Sequence, residues 1–364
     1  MKEKLDLIRI SKSSILSKLA LKGFSVNHIL NYAVELEKSK NKSILPSLES
    51  AEKELELAEK MQISLITYND DLYPEDLKQI KDFPLILYAK GNLNLLSKPK
   101  FAIVGARSAT LESKTLAENF SKELCEFGFT IVSGFAFGVD TASCIGACKY
   151  GTIQVLGSGV NRIYPQENTK LYNEVLANSG LFLSELPPNF PVKPENFPLR
   201  NRIISGLSKG ILLVQASKKN GSSGSLITAQ IALNQEKDLF AIPGHPLDKR
   251  FEGGNNLIKN GNAIFTTSSQ DIIDMIGYHV RSKPELFRFE RNSSETVHEP
   301  LPKLEIRQDI CQKIKAILGT NPIGIEIIAE NIGEDVRDVQ VAITEMELFD
   351  EVRKQAGGFS LNLL

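Results

Sequence analysis

Between residues 101 and 265 the chain repeats one phrase: a short apolar run rich in β-branched residues, then a glycine or another small residue, then a stretch of helical character. The runs occupy residues 101–104, 129–132, 152–156, 181–183, 211–214, 239–242 and 263–265. Apolar strands that do not alternate with polar residues are buried on both faces, and strands that alternate with helices run parallel. The phrase therefore predicts an α/β domain with a Rossmann-like, doubly wound parallel sheet. In such a sheet the carboxyl ends of the strands share one edge, where these folds bind ligands. Gly105, Gly134, Gly157, Gly221, Gly224 and Gly244 follow strands in order. Their loops are expected to converge on one crevice.

With 364 residues the chain exceeds a single core, which stops growing near roughly 250 residues. Residues 1–60 show helical periodicity (Leu5, Ile8, Ile15, Leu16 and Leu19, then two further stretches) and are expected to form a small helical module. The Rossmann-like domain is placed at 61–280, opening on a short mixed segment punctuated by Pro74 and Pro84. Residues 281–303, polar and proline-bearing, read as a linker. From 304 to 364 the pattern is three helices and a short hairpin, the order of a winged helix-turn-helix.

A formal net charge of −1 excludes a polycation and an acidic, unfolded chain. No run approaches the roughly 18 apolar residues of a membrane span, and the charged start lacks a signal-peptide pattern, so a soluble cytoplasmic protein is expected. Cys125, Cys144, Cys148 and Cys311 do not make a disulfide framework. Cys144 and Cys148 would share a helical face, but no histidine stands at ligand spacing, so buried thiols are expected and no metal.

The loops carry the chemistry. Gly105-Ala106-Arg107 leaves a strand and opens a helix, which brings free backbone N–H groups and a guanidinium together. Ser133-Gly134-Phe135-Ala136-Phe137-Gly138 repeats the arrangement and adds two aromatic rings, equally suited to stacking on bases or to filling the core. Gly157-Ser158-Gly159 opens like a dinucleotide fingerprint, but Arg162 replaces its third glycine and Pro165 interrupts the run. Gly221-Ser222-Ser223-Gly224-Ser225 reads as a phosphate cradle ahead of a helix, without the Lys-Ser/Thr pair of a P-loop. Between 191 and 262 ten Lys/Arg, among them Arg200, Arg202, Lys218 and Lys219, face five acids, so this half of the crevice is expected to be basic.

From about Tyr68 to Ile273 the chain resembles the DNA-processing protein (DprA/Smf) family. The motifs include residues 103–107 (IVGAR), 132–140 (VSGFAFGVD), 155–159 (VLGSG) leading to Tyr164-Pro165, 197–208 (FPLRNRIISGLS), 224–229 (GSLITA), 240–244 (FAIPG) and 254–258 (GNNLI). The resemblance implies a homodimer that binds and protects single-stranded DNA during natural transformation and helps to load the RecA recombinase onto it. It implies no catalytic residue, cofactor, metal or membrane. Carried onto this sequence, the nucleic-acid contacts are expected at Gly105, Ala106, Arg107, Ser133, Gly134, Phe137, Gly138, Arg200, Asn201, Arg202, Lys218, Ser222, Ser223, Gly224, Ser225 and Gly244. The chain departs from the family pattern at Cys144, where a histidine is frequent, and at Gln215, where a glutamate is usual.

Two other readings belong to different classes. Nucleotide phosphoribohydrolases of the lysine-decarboxylase-like fold carry a similar loop that ends in a carboxylate, and Thr228 stands at that position here. A winged-helix transcription factor would need a cationic recognition helix. Residues 304–364 instead hold six basic side chains against eleven acids, with Glu334, Asp335 and Asp338 at the start of that helix. This domain is expected to contact protein, not DNA.

Overall fold

The computed structural model describes residues 2–12, 46–218, 224–281, 305–319, 322–348, 352–355 and 358–361. They fall into two compact units, Met1–Glu285 and Leu286–Leu364.

The first unit is built on one nine-stranded sheet. Its strands are β1 (Ser64–Thr67), β2 (Ile86–Gly91), β3 (Lys100–Val104), β4 (Thr130–Ser133), β5 (Thr152–Val155), β6 (Leu181–Ser184), β7 (Gly210–Leu213), β8 (Asp238–Ala241) and β9 (Ile264–Phe265). They lie in the order β1-β2-β6-β5-β4-β3-β7-β8-β9. From β3 to β9 every pairing is parallel, as the apolar phrase requires. The mixed segment before it supplies two further strands, β1 and β2, both antiparallel. The chain proceeds outward from β3 through β4 and β5 to β6, then returns to place β7 on the other flank of β3. That reversal is the switch point at which open α/β sheets form a crevice.

Helices cover both faces. They are α1 (Lys2–Lys12), α2 (Leu48–Lys60), α3 (Glu75–Lys78), α4 (Leu111–Glu126), α5 (Val139–Ala147), α6 (Thr169–Ala177), α7 (Asn196–Leu207), α8 (Gly224–Asn234), α9 (Glu252–Lys259) and α10 (Ser269–Arg281). One face packs Ala102, Val104, Ile211 and Leu213 against Ile203 and Leu207 of α7 and Ala229 of α8. The other packs Phe101, Ile103 and Leu212 against Leu124 of α4, Val139 of α5 and Ile276 of α10. The first two helices join the same unit: Leu5, Ile8, Ala51 and Ala58 pack against Ile86, Tyr88 and Phe182 of the sheet. Ser47 caps α2, and the buried Glu54 of that helix accepts the Tyr88 hydroxyl proton.

The second unit holds α11 (Glu305–Ile317), α12 (Ile325–Ile332), α13 (Val336–Leu348) and a hairpin of β10 (Val352–Gln355) and β11 (Gly358–Leu361). Ile314, Ile328, Val339, Ile343 and Phe359 form its core. This is the winged helix-turn-helix. Among the described residues no helix is long and apolar enough to cross a membrane, and no group of three or more His, Cys, Asp or Glu could hold a metal. The linker and most of the expected N-terminal module lie outside the described residues.

Candidate nucleic-acid interface

The carboxyl ends of β3 and β4 are locked together by close approach. Val139 N–H donates to the Ala106 carbonyl at 3.2 Å. A Cβ on Gly105 would collide with Val139, and one on Gly138, whose φ is +80°, with the backbone of Ala106 and Arg107. Only glycine fits either position without displacing backbone. On the other flank Ala106 N–H donates to the Gln215 carbonyl at 2.9 Å, and the Gln215 side-chain oxygen accepts from Thr110 N–H at 3.0 Å. The amide thus supplies, without charge, the acceptor that a carboxylate would supply at this buried position.

Beneath these loops lie two buried groups of opposite charge, Arg200 and Asp140, each held by the backbone of the β4 loop. Arg200 is 4% exposed and donates through Nη1 to the carbonyls of Gly134 and Val155, both at 2.5 Å. Asp140 accepts from the N–H groups of Gly134 (3.2 Å) and Ala136 (3.4 Å). Burial pushes the Asp140 carboxyl above its ordinary value and pulls the Arg200 guanidinium down to about 10, and each charge opposes the shift of the other. Arg200 and Asn201, expected to touch a strand, are buried. Arg200 therefore positions the loop from below. Ser133 is likewise internal, donating to the Ile103 carbonyl at 2.7 Å.

Arg202 also differs from the expectation. Its guanidinium is bound by Glu185 and, at 3.3 Å, by Asp82, with little exposure. Two carboxylates already neutralise the charge that a phosphate would need. Arg107 is an exposed cation of this edge. Its guanidinium lies 5.2 Å from the centre of the Phe197 ring, and the Tyr164 ring lies 5.5 Å from the same ring. Phe197 is half-buried in the first turn of α7, and Tyr164 is exposed.

The two rings of the β4 loop divide. Phe135 is buried edge-on to Phe182 at 5.2 Å, with a φ of +59° and its carbonyl held by the Asn168 side chain. Phe137 is 41% exposed. An exposed cation on an aromatic ring, flanked by further rings, can hold phosphate and stack bases at once. Sequence reading missed Tyr164 and Phe197. Their signal was present in the motifs 164–165 and 197–208, but their rings meet only in three dimensions.

The remaining expected residues divide in the same way. Lys218 is exposed beyond β7. Ser222 and Ser223, with the first half of the proposed cradle, lie outside the described residues. Gly224 opens α8 with no described residue outside its own helix turn within 4 Å of where a Cβ would stand, and Ser225 is buried. Gly244 is clamped by Asn255, which accepts from its N–H at 3.0 Å and donates to its carbonyl at 2.9 Å. The fingerprint-like Gly159 donates to the Phe190 carbonyl, and its Cβ position is filled by residues 187–190, which leaves no opening for a pyrophosphate. Thr228 is buried and donates to the Gly224 carbonyl. Lys209 and Lys237, counted with the basic half of the crevice, stand just before β7 and β8, at the opposite edge of the sheet.

A profile described as DNA recombination-mediator protein A matches residues 64–277, and one described as the DprA winged helix domain matches residues 298–358. The chain is similar to Protein Smf of Escherichia coli, at 33% identity over 299 residues, covering 81% of this chain and 76% of that protein. Among solved structures it resembles DNA processing protein A from Streptococcus pneumoniae (TM-score 0.61, 33% identity, 74% of this chain and 95% of that one). It also resembles DNA processing protein A from Helicobacter pylori, whose single-stranded DNA binding mode that structure describes (TM-score 0.54, 32% identity, 60% and 97%). With more than half its length matched in this way, the chain belongs to the DNA recombination-mediator protein A family.

Proposed function

We propose that this chain binds single-stranded DNA along the carboxyl edge of its sheet. The observation that carries the reading is the exposed Arg107 guanidinium on the Phe197 ring, with the Tyr164 ring packed on that same ring and Phe137 exposed in the β4 loop. Unpaired bases stack on such rings, whereas a duplex keeps its bases covered. Phosphates would meet Arg107, Lys218 and the amino-terminal end of α8. The buried Arg200 and Asp140, each bonded to the backbone of the β4 loop, keep that loop in place and touch no strand. Stacking and charge carry affinity without reading base identity, so binding should tolerate sequence.

Protection of incoming strands during natural transformation, loading of RecA, assembly as a homodimer and a cytoplasmic location follow from the family resemblance and belong to the same proposal. So does the absence of catalysis: Thr228 offers no carboxylate to stabilise an oxocarbenium-like centre. The winged-helix unit, with Glu334, Asp335 and Asp338 before and within the first turn of α13, is proposed to contact protein. A gel-shift titration with equal lengths of single- and double-stranded DNA tests the reading. Tighter retention of the single strand, with little difference among sequences, is expected; equal or tighter retention of the duplex would refute it.

A further inference from the structure

β3, β7 and β8 are neighbouring parallel strands in which Ala102 pairs with Ile211 and Gly210 with Asp238. The same register sets Lys100 opposite Lys209 and Lys209 opposite Lys237, and Lys209 N–H donates to the Lys100 carbonyl at 2.8 Å. Side chains alternate along a strand, so the three lysines share the face that carries Ala102, Ile211 and Leu239. They form a row of like charges across three strands at the amino-terminal edge of the sheet. Like charges directly opposite one another destabilise a sheet, so such a row calls for a counter-charge.

The protein supplies one. Asp76 of α3 lies 2.6 Å from Lys209 Nζ and 3.9 Å from Lys100 Nζ. Lys100 is 3% exposed and also donates to the carbonyls of Leu96 and Lys98, both at 2.9 Å. Lys237 is half-buried. Burial pulls both Lys100 and Lys237 below the ordinary lysine value, and the charge of Lys209 acts in the same direction on each. Three ammonium groups against one carboxylate leave two positive charges where water is partly excluded.

We propose that this lysine row is a binding site for a phosphate group, separate from the crevice and on the opposite edge of the sheet. Inorganic phosphate carries nearly two negative charges and successive strand phosphates one each, with several strong acceptors, which match the uncompensated charge and the remaining donors of Lys209 and Lys237. The group could come from free phosphate or pyrophosphate, or from a DNA strand continuing around the domain.

Thermal unfolding of the full chain in pyrophosphate, against sodium chloride at equal ionic strength, tests the site. A saturable rise in Tm is expected, lost in Lys237→Gln and in Lys209→Gln but retained in Arg107→Gln, with each variant compared to its own baseline. Lys237→Gln leaves the Asp76 bonds intact, so it stays informative if Lys209→Gln unfolds. The salt dependence of oligo(dT) binding distinguishes the sources. A slope in Lys237→Gln shallower by about 0.7 marks a strand phosphate, and an unchanged slope with the lost Tm rise marks free phosphate. The proposal is overturned if Lys237→Gln alters neither the pyrophosphate response nor the slope.

Discussion

Substituting Arg200 by methionine removes one guanidinium and leaves three buried groups wanting. The carbonyls of Gly134 and Val155 lose their donor, and the Asp140 carboxylate keeps two backbone N–H groups but loses the larger of the positive charges that act on it. Leaving a buried charge without its compensating counter-charge costs about 3–5 kcal/mol, chiefly because the surviving charge stays desolvated. The converse change, Asp140→Asn, preserves shape and strands the Arg200 charge, so a similar loss is expected. For a domain of this size each kcal/mol shifts Tm by about 2–4 °C, which gives a fall of roughly 6–20 °C for either variant. The double variant removes both charges and should lose clearly less than the sum of the singles, because the uncompensated charge is the larger part of each loss. Urea unfolding of all four proteins measures the cycle. If Arg200→Met or Asp140→Asn stayed within about 1 kcal/mol of the parent, the pair would be no better than a surface contact such as Lys53–Glu49.

Arg202→Met should lower stability, since Glu185 and Asp82 lose their shared cation, yet leave the salt slope of DNA binding unchanged; a flattened slope would return Arg202 to the interface. Cys144 is fully buried, and burial pushes the Cys125 thiol up to about 12. Neither should react with a thiol reagent at neutral pH until the protein is unfolded, and prompt modification of either would contradict its burial. Removal of residues 300–364 should leave single-strand affinity within a few fold, about 1 kcal/mol or less. Loss of most binding in the folded, truncated protein would assign the winged helix to DNA.

The parallel sheet was legible because its signal is redundant: seven apolar runs, each followed by a small residue and a helix, admit few other arrangements. β1 and β2 were not, since four and six residues split by Pro74 and Pro84 carry too little pattern to tell a strand from a loop. The site was legible as a place and less so as a set of atoms. Topology located the loops, but charge in a sequence does not reveal burial. Arg200 and Arg202 read alike with Arg107, yet α7 lies against the sheet, so one arginine sits beneath the β4 loop and the other between two acids. The groups that hold them, the Gly134 and Val155 carbonyls for Arg200 and Glu185 and Asp82 for Arg202, are distant in sequence and gave no local warning. Phe135 and Phe137 stand two apart, and the choice between them was made by the +59° φ that turns Phe135 inward. The close approaches of Gly105 and Gly138 show that these glycines serve loop-to-loop packing first, and only through it any ligand.

The central claim is that Arg107 and the rings around it form the single-strand surface. Affinity for oligo(dT), measured at several salt concentrations for the parent, Arg107→Gln and Phe197→Leu, tests it most directly. Phe197→Leu should weaken binding by about 1–3 kcal/mol, the worth of one base stack, with the salt slope unchanged. Arg107→Gln should weaken binding and flatten the slope by about 0.7, the share of one phosphate contact on a single strand. Parental affinity and slope in both variants, each shown to be folded, would move the strand elsewhere on the molecule and contradict the account.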